Sequence, residues 1–341
     1  MEAHQTSARE DIVNRINPTR RRVLTGMGAG LAAPLLARAA SAQADWPTRP
    51  VRVIIPYPPA GGADTVGRIF FTKLSEVIGQ QFVIDNRGGA GGTIAAAAAA
   101  KADPDGYTIM YDATAFSVNP FLYPKLSFDY RKDFQPVFLA SLVPNILVVN
   151  KSVEAKTVAD VIALAKAAPD GLDFASSGNG TVQHLSLEMF RHATGTRINH
   201  IPYRGGGPAL NDVIGGQVKF FFSNGSASIG QVQAGAVKAI AHTGKGRLGT
   251  LPDLPAVADT IPGFEAYEWN GVFVPTGTSP AIIQKLNAGM NAMLKQPDVT
   301  GRLNTLNVAY RENTPDDFRA FVAAEMEKWS RVVKEANIKL G

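Results

Sequence analysis

The chain has no cysteine and only five histidines in 341 residues. The first absence excludes a disulfide framework, a thiolate zinc site and a cysteine nucleophile. The second leaves little for a multi-histidine metal centre. Charged residues make up 18% of the chain, below the roughly 25% of ordinary globular proteins. Hydrophobic residues make up 45%. Low charge with ample apolar content excludes an intrinsically disordered chain and supplies one large or two ordinary cores. Several signatures of catalysis are missing too. No G-x-S-x-G occurs, which removes one nucleophile-elbow pattern. Gly89-Ala90-Gly91-Gly92-Thr93-Ile94 puts isoleucine where a dinucleotide fingerprint needs its third glycine. Gly244-Lys245-Gly246 lacks the Ser/Thr and the upstream glycine of a Walker-type phosphate loop.

What is present begins at the N-terminus. Thr19-Arg20-Arg21-Arg22-Val23-Leu24 leads into an apolar stretch ending at Leu36, and then into Ala42-Gln43-Ala44, a small-x-small cleavage pattern. This order resembles a bacterial export signal of the twin-arginine type, cleaved after Ala44. The apolar stretch is glycine-rich and shorter than the roughly 20 residues a membrane span needs. Residues 1–44 carry six of the 34 basic and three of the 29 acidic residues, so the remaining 297 residues hold 28 and 26, a net +2. The basic balance sits mostly in the leader and does not argue for a nucleic-acid partner. No later stretch is long and apolar enough to span a membrane, so a protein of the periplasm is expected.

Beyond the leader the sequence alternates short apolar runs, glycine-rich loops and helical spacing. Val51-Arg52-Val53-Ile54-Ile55-Pro56 reads as a buried strand. Apolar residues then recur at Val66, Ile69, Phe70, Leu74, Val77 and Ile78, a helical period closed by Gly79. Phe82-Val83-Ile84 and residues 107–111 predict two more strands, with an alanine-rich helix to about residue 102 and the turn Asp103-Pro104-Asp105-Gly106 between them. The middle repeats the style, with strands at 145–149, 172–175, 198–201, 218–222 and 237–241 and helices at 158–168, 181–193 and 209–214. Two long helices close the chain near 280–294 and 315–336; Thr314-Pro315-Asp316-Asp317 opens the second with a cap, a first-turn proline and two acids. Strands separated by helices predict parallel pairing in an α/β layer architecture.

Four loops follow strands and open helices: residues 59–64, 88–93, 176–181 and 203–209. Backbone N–H groups at a helix start have no intrahelical partner and carry about half a positive charge. Glycine lets a ligand approach them, so such loops bind carboxylate, phosphate or sulfate without an arginine. Ile55-Pro56-Tyr57 before Gly61-Gly62 is echoed by Ile201-Pro202-Tyr203 before Gly205-Gly206-Gly207. Each half therefore offers a similar loop to a shared place, at the carboxyl ends of strands where open α/β sheets bind ligands. His184, Glu188 and His192 share one helix face, but the outer two stand about 12 Å apart, too far for one ion to take all three. His184 reads as pocket lining or as packing. Arg204 reads as a charge partner for a carboxylate or as a surface arginine. Asp64 reads as a cap of its own helix or as an acceptor facing the ligand.

The stretch from Trp46-Pro47-Thr48-Arg49-Pro50 to Pro56-Tyr57, followed by Gly61-Gly62-Ala63-Asp64 and Arg68, resembles the opening of the Bug family, the extracytoplasmic solute receptors of tripartite tricarboxylate transporters. The pattern continues through Asp85-Asn86-Arg87, Pro104-Asp105-Gly106-Tyr107-Thr108 and Ser177-Gly178-Asn179-Gly180-Thr181 with His184-Leu185. It ends through Pro202-Tyr203-Arg204-Gly205, Leu251-Pro252-Asp253-Leu254-Pro255, Trp269-Asn270-Gly271, and Glu325 with Lys328-Trp329. The resemblance implies a type II periplasmic-binding-protein fold, two α/β lobes around a ligand cleft. Lobe 1 would take residues 45–142 and 269–341 and lobe 2 residues 143–268, with crossings near 139–144 and 267–270.

Ligands of similar proteins are small carboxylates: di- and tricarboxylates, acidic amino acids or aromatic acids. They are held by backbone amides, hydroxyls and bridging waters. Carried over by position, this nominates Tyr57, Pro59, Gly61, Gly62 and Asp64 from the first-lobe loop. From the second lobe it nominates Ser176, Ser177, Asn179, Thr181 and His184, then Tyr203 and Gly205. Ala115 and Phe116 would form the near wall, and Phe116 with Phe222 would suit a flat aromatic acid. Many relatives carry aspartate where this chain has Ser223, and Pro58-Pro59-Ala60 alters the usual first loop. The resemblance implies no catalytic residue, metal or cofactor. Its implied partners are a small carboxylate and inner-membrane transporter subunits, with the receptor a monomer. Two other readings fit the same residues: a sensor presenting ligand to a membrane histidine kinase, and an exported hydrolase on this fold.

Overall fold

A computed structural model describes residues 46–335 and 338. The export segment expected over 1–44 lies outside the described residues, as does residue 336, where the last helix was expected to end. The first β-branched run forms β1 (Val51–Ile55), interior except at Arg52. α1 (Gly62–Ile78) follows and buries Val66, Ile69, Phe70 and Leu74 against the sheet, as their spacing predicts. β2 (Phe82–Asn86), α2 (Thr93–Ala100) and β3 (Thr108–Ala113) complete the first unit. Both β2 and β3 pair with β1 in parallel. A short helix that the pattern did not predict, α3 (Ala115–Leu122), leaves the end of β3.

β4 (Phe134–Asn150) is 17 residues long, three times the segment expected. After it the strand–helix alternation returns. α4 (Val158–Ala167) and β5 (Leu172–Ser176) lead to α5 (Val182–Thr194), and β6 (Ile198–Pro202) leads to α6 (Gly206–Gly215). β7 (Phe220–Asn224), α7 (Gly225–Gln233) and β8 (Val237–His242) follow. β9 (Tyr267–Pro275) then runs back, and α8 (Pro280–Met293), α9 (Pro297–Thr305) and α10 (Pro315–Glu335) close the described chain. The strand order is β2-β1-β3-β9-β4-β7-β5-β6, with β8 also on β4.

Parallel pairing holds where it was expected for β1–β2, β1–β3, β5–β6 and β5–β7. It fails at β3–β9, β4–β9, β4–β7 and β4–β8, which are antiparallel. The reason is the long β4. From Phe134 to Pro144 it pairs with β9, and from Asn145 onward it pairs with β7 and β8. One strand thus serves two sheets, and β9 returns beside it.

Each sheet buries its own core. Phe116, Tyr130, Phe134, Trp269, Phe273 and Phe318 fill one. Phe174, Phe190, Phe220, Phe222 and Phe264 fill the other, with Leu147 and Val149 of β4. Trp269 and Trp329 both donate their indole N–H to Glu325, at 3.1 and 2.8 Å, which ties α10 to β9. No helix among the described residues is long and apolar enough to cross a membrane. The parallel strands all hand over to helices on one side, so the starts of α1, α3, α5, α6 and α7 come to one region.

Candidate functional site

Five helix starts surround one small cavity of about 20 Å³. Gly62 and Ala63 come from α1, Thr114 and Ala115 from α3, Thr181 to Gln183 from α5, Gly206 from α6 and Asn224 from α7. Each start presents backbone N–H groups with no intrahelical partner and the positive end of a helix dipole. Two starts are capped by their own side chains. Thr181 Oγ1 accepts from the His184 N–H, and Asn224 Oδ1 from the Ser226 N–H at 2.9 Å. The start of α3 at Thr114 has no side-chain cap, and neither do the starts of α1 and α6, preceded by Gly61 and Gly205. Their N–H groups remain for an anion.

The two sheets' loops meet here so closely that two glycines leave no room for a side chain. A Cβ on Gly62 would stand 2.3 Å from Cγ of Asn224, and one on Gly205 would stand 2.4 Å from Cγ of Pro58. Gly205 also sits at φ +124°, which L side chains rarely adopt. A second, outer cavity of about 200 Å³ shares Tyr57 and Ser177 with the inner one. Its wall includes the glycine loop from Gly89 to Gly92, Asn179, Tyr203, Arg204 and Gly205. Arg204 is exposed and is the one lysine or arginine on either wall among the described residues. The sequence echo extends to hydrogen bonds: Tyr57 donates its hydroxyl to Asp112 at 3.0 Å, and Tyr203 donates to Asp212 at 2.7 Å.

The structure gathers nine of the nominated residues. Tyr57, Gly61, Gly62, Ala115, Ser177 and Thr181 line the inner cavity, and Asn179, Tyr203 and Gly205 line the outer one. The other five stand behind or beside it. Pro59 is exposed in the first loop. Asp64 ties that loop together: Oδ2 accepts from the Ala60 N–H at 3.0 Å and Oδ1 from Asn86 at 3.0 Å, and Arg68 pairs with the carboxylate at 2.9 Å. Burial works against its charge, but Arg68, the Ala60 amide and Asn86 outweigh it and hold Asp64 below the usual carboxylate range. Ser176 Oγ meets His200 Nε2 at 2.6 Å and accepts from the Gly178 N–H, so it shapes the turn. His184 Nδ1 accepts from the Gly180 N–H at 3.2 Å, and its ring stacks on His200 with centroids 4.0 Å apart. Burial first, then His200 and Arg191, lower its pKa to about 3, so the ring is neutral. Phe116 and Phe222 both lie in the cores; Phe116 stacks on Phe273 at 3.9 Å, so neither is a platform for an aromatic ligand.

Sequence reading missed Gln183, Asn224 and Glu268 in the inner wall, and Asp112 behind it. Glu268 Oε2 accepts from Gln183 Nε2 at 2.5 Å. Gln183 Nε2 also reaches Asn145 Oδ1 at 3.2 Å, and Asn145 donates on to Ser186. Burial raises the Glu268 pKa, opposed by the amides of Gln183, Asn224 and Asn270. Asp112 is pushed up to about 7, by burial first and by Glu268 in addition, against the Ala113 N–H and the Tyr57 hydroxyl. Glu268 lies between Tyr267 and Trp269, and an acid between two large aromatics was the available signal.

The comparisons agree with this geometry. The model of the tripartite tricarboxylate transporter family receptor matches residues 66–338. Protein BugT of Bordetella pertussis (strain Tohama I) is 35% identical over 315 residues, 92% of this chain and 95% of that protein. The structure of R. palustris Rpa4515 with adipate is 36% identical with a TM-score of 0.84, covering 86% of this chain and 99% of that one. MatC (Rpa3494) from Rhodopseudomonas palustris, solved with bound malate, is 31% identical with a TM-score of 0.81, covering 84% and 100%. Fold, facing loops and sequence match lead to one assignment: the chain belongs to the tripartite tricarboxylate transporter receptor family of periplasmic solute-binding proteins.

Proposed function

We propose that this protein is a non-enzymatic receptor that captures a small organic carboxylate between two lobes and delivers it to a tripartite tricarboxylate-type membrane transporter. The observation that carries the reading is the meeting of five helix starts at one cavity, three of them without a side-chain cap. Lobe 1 comprises residues 45–142 and 269–341, and lobe 2 residues 143–268. The paired β4 and β9 are the hinge. The leader is removed after Ala44 following twin-arginine export, and the mature receptor works in the periplasm as a monomer.

In this reading the N–H groups at Gly62 and Gly206 and the hydroxyl of Ser177 take the carboxylate, and Thr181, whose hydroxyl donates to the Gly178 carbonyl, caps α5 beside them. Tyr57 and Ala115 shape the inner wall, and Asn179, Tyr203 and Gly205 close the mouth. Pro59, Asp64, Phe116, Ser176 and His184 hold these elements in place from behind. The adipate and malate in the two R. palustris neighbours support a small carboxylate as the ligand class. A dissociation constant of about 1 μM needs about −8.2 kcal/mol. Several charge-assisted hydrogen bonds shielded from water supply energies of that order. Calorimetry of the purified protein with mono-, di- and aromatic carboxylates tests the reading, and at least one series should bind in the micromolar range. Binding by none of them, together with turnover of a substrate, would replace the receptor with an exported enzyme.

A further inference from the structure

At about 20 Å³ the inner cavity has room for one small group. A ligand therefore places a single carboxylate head there and its body in the outer cavity of about 200 Å³, past the shared Tyr57 and Ser177. A head in so small a space meets donors and acceptors together. The Asn224 side chain fills the space a Cβ on Gly62 would take and also faces Glu268. Asn224 Nδ2, buried without a hydrogen-bond partner, joins the uncapped starts at Gly62 and Gly206 as a donor for the head. Glu268 stands in the same wall and is only 7% exposed. Asp112, behind it, is 1% exposed and leaves Oδ2 unpartnered. No lysine, arginine or histidine lines that wall among the described residues. A captured anion would add a third negative charge beside two buried carboxyl groups. Like charges in a site shielded from water disfavour each other's ionised form. A proton relieves the conflict and needs no space of its own.

We infer that the cleft captures its carboxylate together with one proton, taken from solvent and held by the Glu268–Asp112 pair beside the head. The proton adds to a carboxylate oxygen of the pair on capture and returns to solvent on release; no other bond changes. This rests on the reading that the cleft binds small carboxylates. Other groups around this end stay out of the exchange. β4, α3 and α7 bring no charged side chain. Burial above all lowers His184 to about 3 and His200 to about 4, and it lowers His242 too. Burial raises the hydroxyls of Tyr57, Tyr111, Tyr130 and Tyr203 above their usual value. Against its burial, Asp64 is kept ionised by Arg68, the Ala60 N–H and Asn86. Arg204, on the outer wall, is exposed.

Calorimetry with adipate, malate and benzoate tests it. These probes are ionised above about pH 6.5 and add no titration of their own. At pH 8, binding measured in phosphate and in Tris, buffers of different ionisation heat, should show close to one proton taken up per probe bound. Between pH 6 and pH 9 the dissociation constant should stay level at first and then rise by about tenfold per pH unit. Glu268→Gln removes the charge and keeps the size of the side chain. It should bind the probes at pH 9 about tenfold or more tighter than wild type does, with the proton uptake lost. A wild-type dissociation constant equal at pH 6 and pH 9, with a heat that ignores the buffer, overturns the inference and leaves the carboxylate reading standing. That comparison needs no variant to fold. Binding by none of the probes at any pH would remove the carboxylate reading, and this inference with it.

Discussion

At the scale of single residues, Asp112 builds a pH dependence into the floor of the cleft. In the folded protein its carboxyl titrates at about 7 because burial, and then Glu268, disfavour the charged form. In an unfolded chain an aspartate titrates near 3.9. Below about 4 both states are protonated and the group has no effect. As pH rises from there the unfolded chain ionises first, so stability falls, and the loss is complete once the folded group has ionised above about 7. About three pK steps set an upper limit of about 4 kcal/mol. Asp112→Asn keeps an acceptor for the Tyr57 hydroxyl and the Ala113 N–H while removing the charge. The variant should melt above wild type at pH 8, with the gap closing toward pH 4, by scanning calorimetry; a gap that ignores pH would show that another group titrates. The same residues mark how far the site could be read from sequence. Gly61, Gly62, Ser177 and Gly205 were legible because glycine and hydroxyl residues before a helix have a direct physical meaning. Glu268 and Gln183 were not, because their chemistry arises only when β9 and α5 are brought together.

At the scale of elements, the paired β4 and β9 join the two sheets, and α10 packs on them at Gly271. A Cβ there would stand 2.0 Å from Cζ of Phe318, a fully buried ring packed against Trp269 and Phe273. Because the ring is buried against Trp269 and Phe273, Gly271→Ala should cost about 1–3 kcal/mol. For a chain of this size that lowers the thermal midpoint by several degrees. An unchanged melt would mean that α10 slides off β9 at no cost. These strands also show why part of the fold was hidden in the sequence. The parallel strands were legible as short β-branched runs between glycine loops. In the crossing pair Ser141 lies opposite Asn270 and donates to its Oδ1 at 2.9 Å, so polar residues are buried against each other across the ladder. Pro136 and Pro144 interrupt β4 as well. Such a strand has neither an apolar run nor an alternation for a pattern to find. α3 carries Pro120, and α7 opens with Gly225-Ser226-Ala227-Ser228, so both read as loops until Thr114 and Asn224 are seen leading into them.

At the scale of the whole molecule, a receptor that closes on its ligand as proposed needs places where its lobes meet with no room to spare. Gly62 in the proposed first lobe and the Asn224 side chain in the proposed second make one such contact. A methyl on Gly62 would meet the Asn224 side chain at 2.3 Å. That side chain is not free to swing aside, because its Oδ1 accepts from both the backbone N–H and the hydroxyl of Ser226, at 2.9 and 2.6 Å. If the proposed lobes close here, Gly62→Ala penalises that closure, and it leaves the two hydrophobic cores untouched. Overpacking of this kind costs about 1–3 kcal/mol. Apparent affinity scales with the population of the binding-competent state, so the loss should be about tenfold or more. The thermal midpoint of the ligand-free variant should stay near that of wild type. Small-angle scattering should show wild type contracting when its tightest carboxylate is added and the variant failing to contract. Gly230→Ala, where a Cβ would meet nothing within 4 Å, is the matched control and should bind as wild type does. Full affinity and full contraction in Gly62→Ala would show that the cleft closes along another path, and that the contact between Gly62 and Asn224 is incidental to capture.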